Sequence, residues 1–145
     1  MKTVVALLFC VLTLLVSVHS PARAADANLT SARLLKDELV RLSGTSAKRC
    51  GLVALGSSSG QGWRCAVAAD RAKQAFWLAV QERGIDSIAW IAVGRDSTGQ
   101  RYYLVYDSSP YGRAGLHPRF TRDFCSTDDV FDPKRKDLGC RGIAP

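Results

Sequence analysis

The segment from Tyr111 to Arg122 holds the residues whose types and spacing best suit a binding site. It has three arginines and two aromatic residues, and it has no acidic residue. Arginine and aromatic side chains dominate binding surfaces, and the guanidinium group matches carboxylates and phosphates bidentately. The predicted partner-binding residues are Tyr111, Arg113, His117, Arg119, Phe120 and Arg122. The alternative interpretation of this segment is a polar connection that is merely rich in arginine.

A hydrolytic site is the second kind of chemistry to consider, and the sequence offers few residues for it. His117 is the one histidine that follows the N-terminal segment described below, so mechanisms that need two histidines are excluded. Asp86 and Asp107 each precede a serine, but no Gly-x-Ser-x-Gly motif presents a nucleophile. Short polar side chains at the ends of strands often form hydrogen bonds with the backbone of the adjacent turn instead of taking part in catalysis. We therefore predict no catalytic residue, and a hydrolase would require Asp86, Asp107 and His117 to share one cavity with a serine.

Four cysteines follow the N-terminal segment, and their spacing indicates disulfides. No two of them lie two to four residues apart, as chelating pairs do in zinc sites, so we expect no metal site. Four cysteines allow three pairings. Cys50 and Cys65 are 15 positions apart, as are Cys125 and Cys140, which favours these two sequential pairs. Each loop would stabilise the fold by about 3 kcal/mol in the chain-entropy model.

The first 24 residues have the features of a secretory signal peptide. A positive start precedes an apolar run from Thr3 to Val18, and Ala22-Arg23-Ala24 offers small residues for cleavage. The run falls short of the roughly 20 residues that span a bilayer, and no later stretch is long and apolar enough. Residues 25–145 would then form a single mature domain in the periplasm or outside the cell.

The charge of the mature chain mildly favours anionic partners. Residues 25–145 contain 18 basic and 13 acidic residues, a net charge of +5. The basic residues are spread along the chain and form no clustered stripe, which argues against a dedicated nucleic-acid binder. The glycine-rich stretch 56–62 lacks the Gly-Lys-Ser/Thr ending of a phosphate-binding loop, and no cofactor is expected.

The elements that must position these residues indicate an α+β domain. Apolar residues recur at helical spacing over 30–43, and an alanine-rich stretch predicts a second helix over 64–74. Strands are predicted over 76–82, 88–93 and 102–106, with the loop signal Asp96-Ser97-Thr98-Gly99 before the last one. We expect a three-stranded antiparallel meander packed by the two helices and stapled by disulfides. Residues 50–55 and 119–124 are further candidate strands.

These observations favour a small exported binding protein without catalytic activity, such as an inhibitor or an envelope-associated module. Its small size, its cysteines, its single mature histidine and its basic aromatic segment all favour this hypothesis. The alternative is a small secreted hydrolase that acts on cell-wall or envelope polymers. A third hypothesis, nucleic-acid binding, is supported only by the positive net charge.

Overall fold

The computed structural model describes residues 22–110 and 117–125, with side chains from residue 26 onward. Within these ranges the chain forms two α-helices and five β-strands. In chain order the elements are α1 (Ala22–Ser43), β1 (Lys48–Val53), α2 (Gly60–Arg71), β2 (Phe76–Arg83), β3 (Ile88–Arg95), β4 (Arg101–Asp107) and β5 (Arg119–Phe124). Neither helix combines the length and the apolar character that crossing a bilayer requires.

The strands described form one mixed sheet in the order β1-β2-β3-β4-β5. β2, β3 and β4 make the antiparallel meander that the sequence predicts, and β5 continues it antiparallel to β4. β1 instead pairs parallel to β2, with α2 as the crossover that parallel neighbours need. The α+β class and the meander are confirmed. The expected count of three strands is wrong, because β1 and β5 extend the sheet on both sides.

The helix boundaries differ from the predicted ones mainly at their starts. α1 begins at Ala22 instead of residue 30, and Ser31 is a buried residue inside the helix. Its end at Ser43 is as predicted: Gly44 follows with φ +89°, and its N–H bonds the carbonyl of Val40. α2 spans 60–71 instead of 64–74. α1 thus begins inside the predicted signal segment, whose cleavage stays a prediction.

The two helices cover opposite faces of the sheet. Leu35 and Leu39 of α1 pack on one face against the even-numbered residues of β4 and the two tryptophans of β2 and β3. Ala66 and Ala69 of α2 pack on the other face, chiefly over β1 and β2. Side chains that alternate along the strands therefore enter two separate clusters, and both faces of the first half of β2 are buried.

The β1 edge of the sheet is irregular and covalently fixed. The pairing with β2 shifts register between Arg49 and Gly51, which makes Cys50 the extra residue of a bulge. Gly51 has φ +126°, a conformation that favours glycine. A disulfide joins Cys50 to Cys65 of α2, which confirms the first predicted pair. Cys125 is buried and disulfide-bonded, but Cys140 lies outside the described residues, so that pairing stays a prediction.

Tyr102 ties β4 to α1 through the interior. Ser43 Oγ donates its proton to the carbonyl of Phe76 at 3.2 Å. Because that proton is used, the hydroxyl of Tyr102 is the donor in its 2.6 Å hydrogen bond to Ser43 Oγ. The ring lies across Gly94 on β3, where a Cβ atom would come within 2.3 Å of it. Burial raises the pKa of Tyr102 above its ordinary value, and the contact with Ser43 opposes this shift only in part. The strand beside β5 is therefore firmly anchored.

Candidate functional site

β5 contains half of the predicted binding residues, and strand alternation divides them between two faces. The register pairs Phe120 with Tyr106 and Arg122 with Leu104, which places both side chains on the α1 face. Arg119 pairs with Asp107 and belongs to the opposite face. Successive side chains of a strand point to opposite sides, so Arg119 cannot act on the same surface as Phe120 and Arg122. The structure thus divides these three residues between two faces, and their part in binding stays a prediction.

Phe124 takes the place of Arg119 on this surface, and the sequence analysis missed it. Phe120, Arg122 and Phe124 occupy alternate positions and lie on one face; we call these three residues the β5 strip. Phe120 is 36% exposed and Phe124 is 52% exposed. The pattern Phe-x-Arg-x-Phe has the period of a strand and was the available signal.

Two contacts hold the β5 strip in place. The guanidinium carbon of Arg122 lies 4.6 Å from the centroid of the Phe124 ring, a cation–π geometry. The Phe120 ring packs against Tyr106 with centroids 5.0 Å apart. No carboxylate in the described part of the chain pairs with Arg122. Because stacking occupies the face of the guanidinium, its in-plane N–H donors stay available for an anionic group.

The other predicted binding residues lie elsewhere or outside the described ranges. His117 is exposed and precedes β5 by two positions. Tyr111 and Arg113 fall outside the described residues, so their part in the site is a prediction that the structure does not reach. The described site therefore consists of the β5 strip, with His117 beside its start in sequence.

The carboxylates of the hydrolase alternative do come together. Asp86 from the β2–β3 loop and Asp107 from the end of β4 line one cavity of about 510 Å³, which we call the Asp86–Asp107 cavity. Its other lining residues are Arg83, Gly84, Ile85, Ser87, Ala89 and Ser109. His117 is not among the described residues that line it. Asp107 Oδ1 accepts the backbone N–H of Ser109 at 2.9 Å, which is the turn role expected of such an aspartate.

The most buried charged cluster that the structure describes joins α2 to the meander. Asp70 is 4% exposed and accepts four hydrogen bonds of 2.6–3.2 Å from the guanidinium groups of Arg95 and Arg101. Arg95 also donates to the carbonyl of Gly99. The two arginines are paired residues of β3 and β4. Because both carboxylate oxygens accept from these donors, the cluster fixes α2 against β3 and β4.

The described residues offer no group of three or more histidine, cysteine, aspartate or glutamate side chains arranged to hold a metal ion. Comparisons with protein-family models, with curated proteins and with solved structures find no match to this chain. The functional argument therefore rests on the β5 strip and on the Asp86–Asp107 cavity.

Proposed function

We propose that this protein is an exported, non-catalytic binding module that recognises an acidic protein or an anionic envelope polymer through the β5 strip. The observation that supports this most directly is the exposure of two phenylalanines on either side of a stacked arginine, all on one face of one strand. Soluble domains keep scattered apolar residues at the surface without any role. An arginine that contacts one exposed aromatic ring and has a second exposed ring two positions away instead matches the composition of an interface.

The anchoring of the strip also favours recognition over chance exposure. β4 lies directly beside β5 and is fixed to α1 by Tyr102, while Phe120 is held by its contact with Tyr106. A site presented on a rigid element loses little conformational entropy when it binds. Export is supported by the N-terminal segment and agrees with a disulfide, which persists in oxidising compartments.

The second candidate function is hydrolysis of an envelope polymer in the Asp86–Asp107 cavity. The specific observation in its favour is that two carboxylates and two serines line a single cavity. Glycoside hydrolysis uses two carboxylates that face each other. Asp107, however, is engaged in the turn at Ser109, and His117 is not part of the described lining. Loss of a hydrolytic activity in Asp86→Asn and Asp107→Asn variants would establish this second function.

The binding proposal is tested with two anionic probes, poly(glutamate) and a carboxylated polysaccharide. The test variant combines Phe120→Ala, Arg122→Gln and Phe124→Ala. We expect its affinity for at least one probe to fall about tenfold or more, because truncating aromatic and arginine anchors commonly costs over 1 kcal/mol each. The affinity of the wild type should also fall as salt rises, since charges are screened beyond about 8 Å at physiological ionic strength.

A matched control removes the same chemical types from another surface. Leu29, Arg33 and Leu34 are exposed on α1 and again give two apolar residues and one arginine. The combined Leu29→Ala, Arg33→Gln and Leu34→Ala variant should bind both probes like the wild type. Equal loss in the two variants would show that binding follows net charge and hydrophobicity alone, and no loss in either would place the binding surface elsewhere.

A further inference from the structure

The backbone of the β5 strip is as informative as its side chains. In an antiparallel pair, residues alternate between those that exchange hydrogen bonds with the partner strand and those that do not. The N–H of Cys125 bonds the carbonyl of Arg101, so the hydrogen-bonded positions of β5 are the odd-numbered ones. On the other side of β4, the N–H of Ser108 bonds the carbonyl of Ile88. The even-numbered residues of β4 therefore bond β3, and its odd-numbered residues bond β5. The backbone groups of Phe120, Arg122 and Phe124 therefore point away from β4.

β5 is also a regular edge. It is the last strand of the sheet in the described part of the chain, and its six pairs with β4 run without a register shift. Proteins usually block such an edge with a bulge, a proline or charged residues that twist or repel an incoming strand. β5 contains no proline and no bulge, and of these three features it has only charged side chains, at Arg119, Arg122 and Asp123. Three outward N–H groups and three outward carbonyls thus lie along the same residues that expose the two rings and the guanidinium.

We propose that the acidic partner binds by strand addition, as an extended protein segment that pairs antiparallel with β5. This inference rests on the proposed function and deepens it by naming the partner's chemistry. A polysaccharide has no alternating peptide groups with which to pair, whereas an extended peptide satisfies all six outward groups at once. The outward backbone therefore favours a protein partner over an anionic polymer.

The side chains of the strip specify what the added strand should carry. Residues directly opposite on neighbouring strands share a face, with Cβ atoms about 5 Å apart. A partner residue opposite Arg122 should be acidic, and the residues two positions before and after it should be apolar to cover Phe120 and Phe124. The recognised segment therefore has an acidic residue flanked at both second neighbours by apolar residues.

Charge argues against a second copy of this chain as the occupant. An antiparallel pairing of two β5 strands centred on Arg122 would place the two Arg122 side chains directly opposite each other on one face. Like charges in directly opposed positions destabilise a sheet. The same arginine that attracts an acidic segment thus opposes self-association in that register.

The test uses the purified protein and an end-capped peptide, Thr-Val-Thr-Glu-Thr-Val-Thr, which follows the inferred pattern. N-methylation of the two valines and the glutamate removes the donors that would face β5. N-methylation of the two inner threonines removes donors that would face away, and this peptide is the matched control. We expect the first modification to weaken binding about tenfold or more and the second to weaken it less than about threefold. Amide exchange at 120, 122 and 124 should slow on binding, while exchange at 119, 121 and 123 should not change.

Each other result overturns the inference in a distinguishable way. If Arg122→Gln weakens peptide binding but the two methylated peptides bind alike, strand addition is wrong and the binding function of the strip survives. If neither methylation nor substitution of the strip matters, both proposals are wrong. Strand addition is also wrong if the unmodified peptide does not bind. It is likewise wrong if the protein forms a concentration-dependent dimer that Arg122→Glu abolishes, because a second copy of the chain would then occupy β5.

Discussion

The two outer strands of the sheet are built in opposite ways. β1 is bulged at Cys50, carries a glycine at positive φ and is tied to α2 by a disulfide. β5 pairs with β4 in unbroken register and exposes two phenylalanines and an arginine. An irregular edge resists pairing with other chains, whereas a regular edge invites it. The difference supports the proposal that β5 serves recognition, whereas β1 is built for stability.

The difference extends to what lies beneath each edge. On the β1 side, α2 is fastened by the disulfide and by the buried Asp70 cluster. On the β5 side, the fixed element is the neighbouring strand β4, through Tyr102. The disulfide at β1 and the ion pairs of Asp70 thus both hold α2 on the sheet, and the ion pairs reach β4, the strand beside β5. Changes at the disulfide and at Asp70 should reduce stability, and changes to the exposed side chains of the β5 strip should reduce binding.

The largest effect is expected from Asp70→Ala, which leaves the partly buried guanidinium groups of Arg95 and Arg101 without their shared carboxylate. Removing one partner from a buried ion pair typically costs about 3–5 kcal/mol. Chemical denaturation measures the free energy of unfolding. Asp37→Ala, at an exposed site on α1, is the control and should stay within about 0.5 kcal/mol of the wild type. A small loss in the Asp70 variant would mean that α2 is held mainly by its apolar contacts.

The second effect is expected from combined Cys50→Ala and Cys65→Ala substitutions. The disulfide closes a loop with a sequence separation of 15, so its removal should cost about 3 kcal/mol. Peptide binding to β5 should be unchanged under conditions in which the variant remains folded. Loss of binding in a folded variant would show that the two edges are coupled. It would contradict the proposal that β1 serves stability and β5 serves recognition.

Tyr102→Phe should have a smaller effect, about 1 kcal/mol, because it removes one buried hydrogen bond to Ser43. It should also change how stability depends on pH. The raised pKa of Tyr102 in the folded state means that, above the ordinary value of about 10, the unfolded chain loses this proton first. Stability should therefore fall as pH rises from about 9 to 11 in the wild type and fall less in the variant.

Ser43→Ala sharpens this third prediction, because it removes the hydrogen bond and keeps the phenol. Its stability should continue to fall with pH, as in the wild type. Unfolding followed by denaturant across this pH range gives the comparison. Identical pH profiles in the wild type and Tyr102→Phe would contradict the role of burial at Tyr102.

Local patterns in the sequence predicted the middle of the fold well. The meander follows from runs of strand-forming residues and from the loop at Asp96, whose carboxylate accepts the N–H groups of Thr98 and Gln100. The pair Cys50–Cys65 follows from spacing. The start of α1 was not predicted correctly, because Ser31 is of a residue type that often caps a helix but lies buried within this one.

Features that depend on distant partners were beyond the sequence analysis. The parallel pairing of β1 with β2 is set by a crossover through α2, which no local period reveals. The Asp70 cluster joins residues 25 and 31 positions apart. The predicted binding segment extends into β5, but its arginines were grouped by proximity in sequence. Only strand geometry separates Arg119 from Arg122.

The measurement that tests the central claim most directly is a charge exchange between Arg122 and the peptide. The wild type and Arg122→Glu are each titrated with the glutamate peptide and with a version carrying lysine in its place. Direct contact predicts that the wild type prefers the glutamate peptide and that Arg122→Glu prefers the lysine peptide, each by about tenfold, with unfolding free energies within about 0.5 kcal/mol of each other. The same peptide preference in both proteins would contradict the account, because it would show that Arg122 does not face the partner.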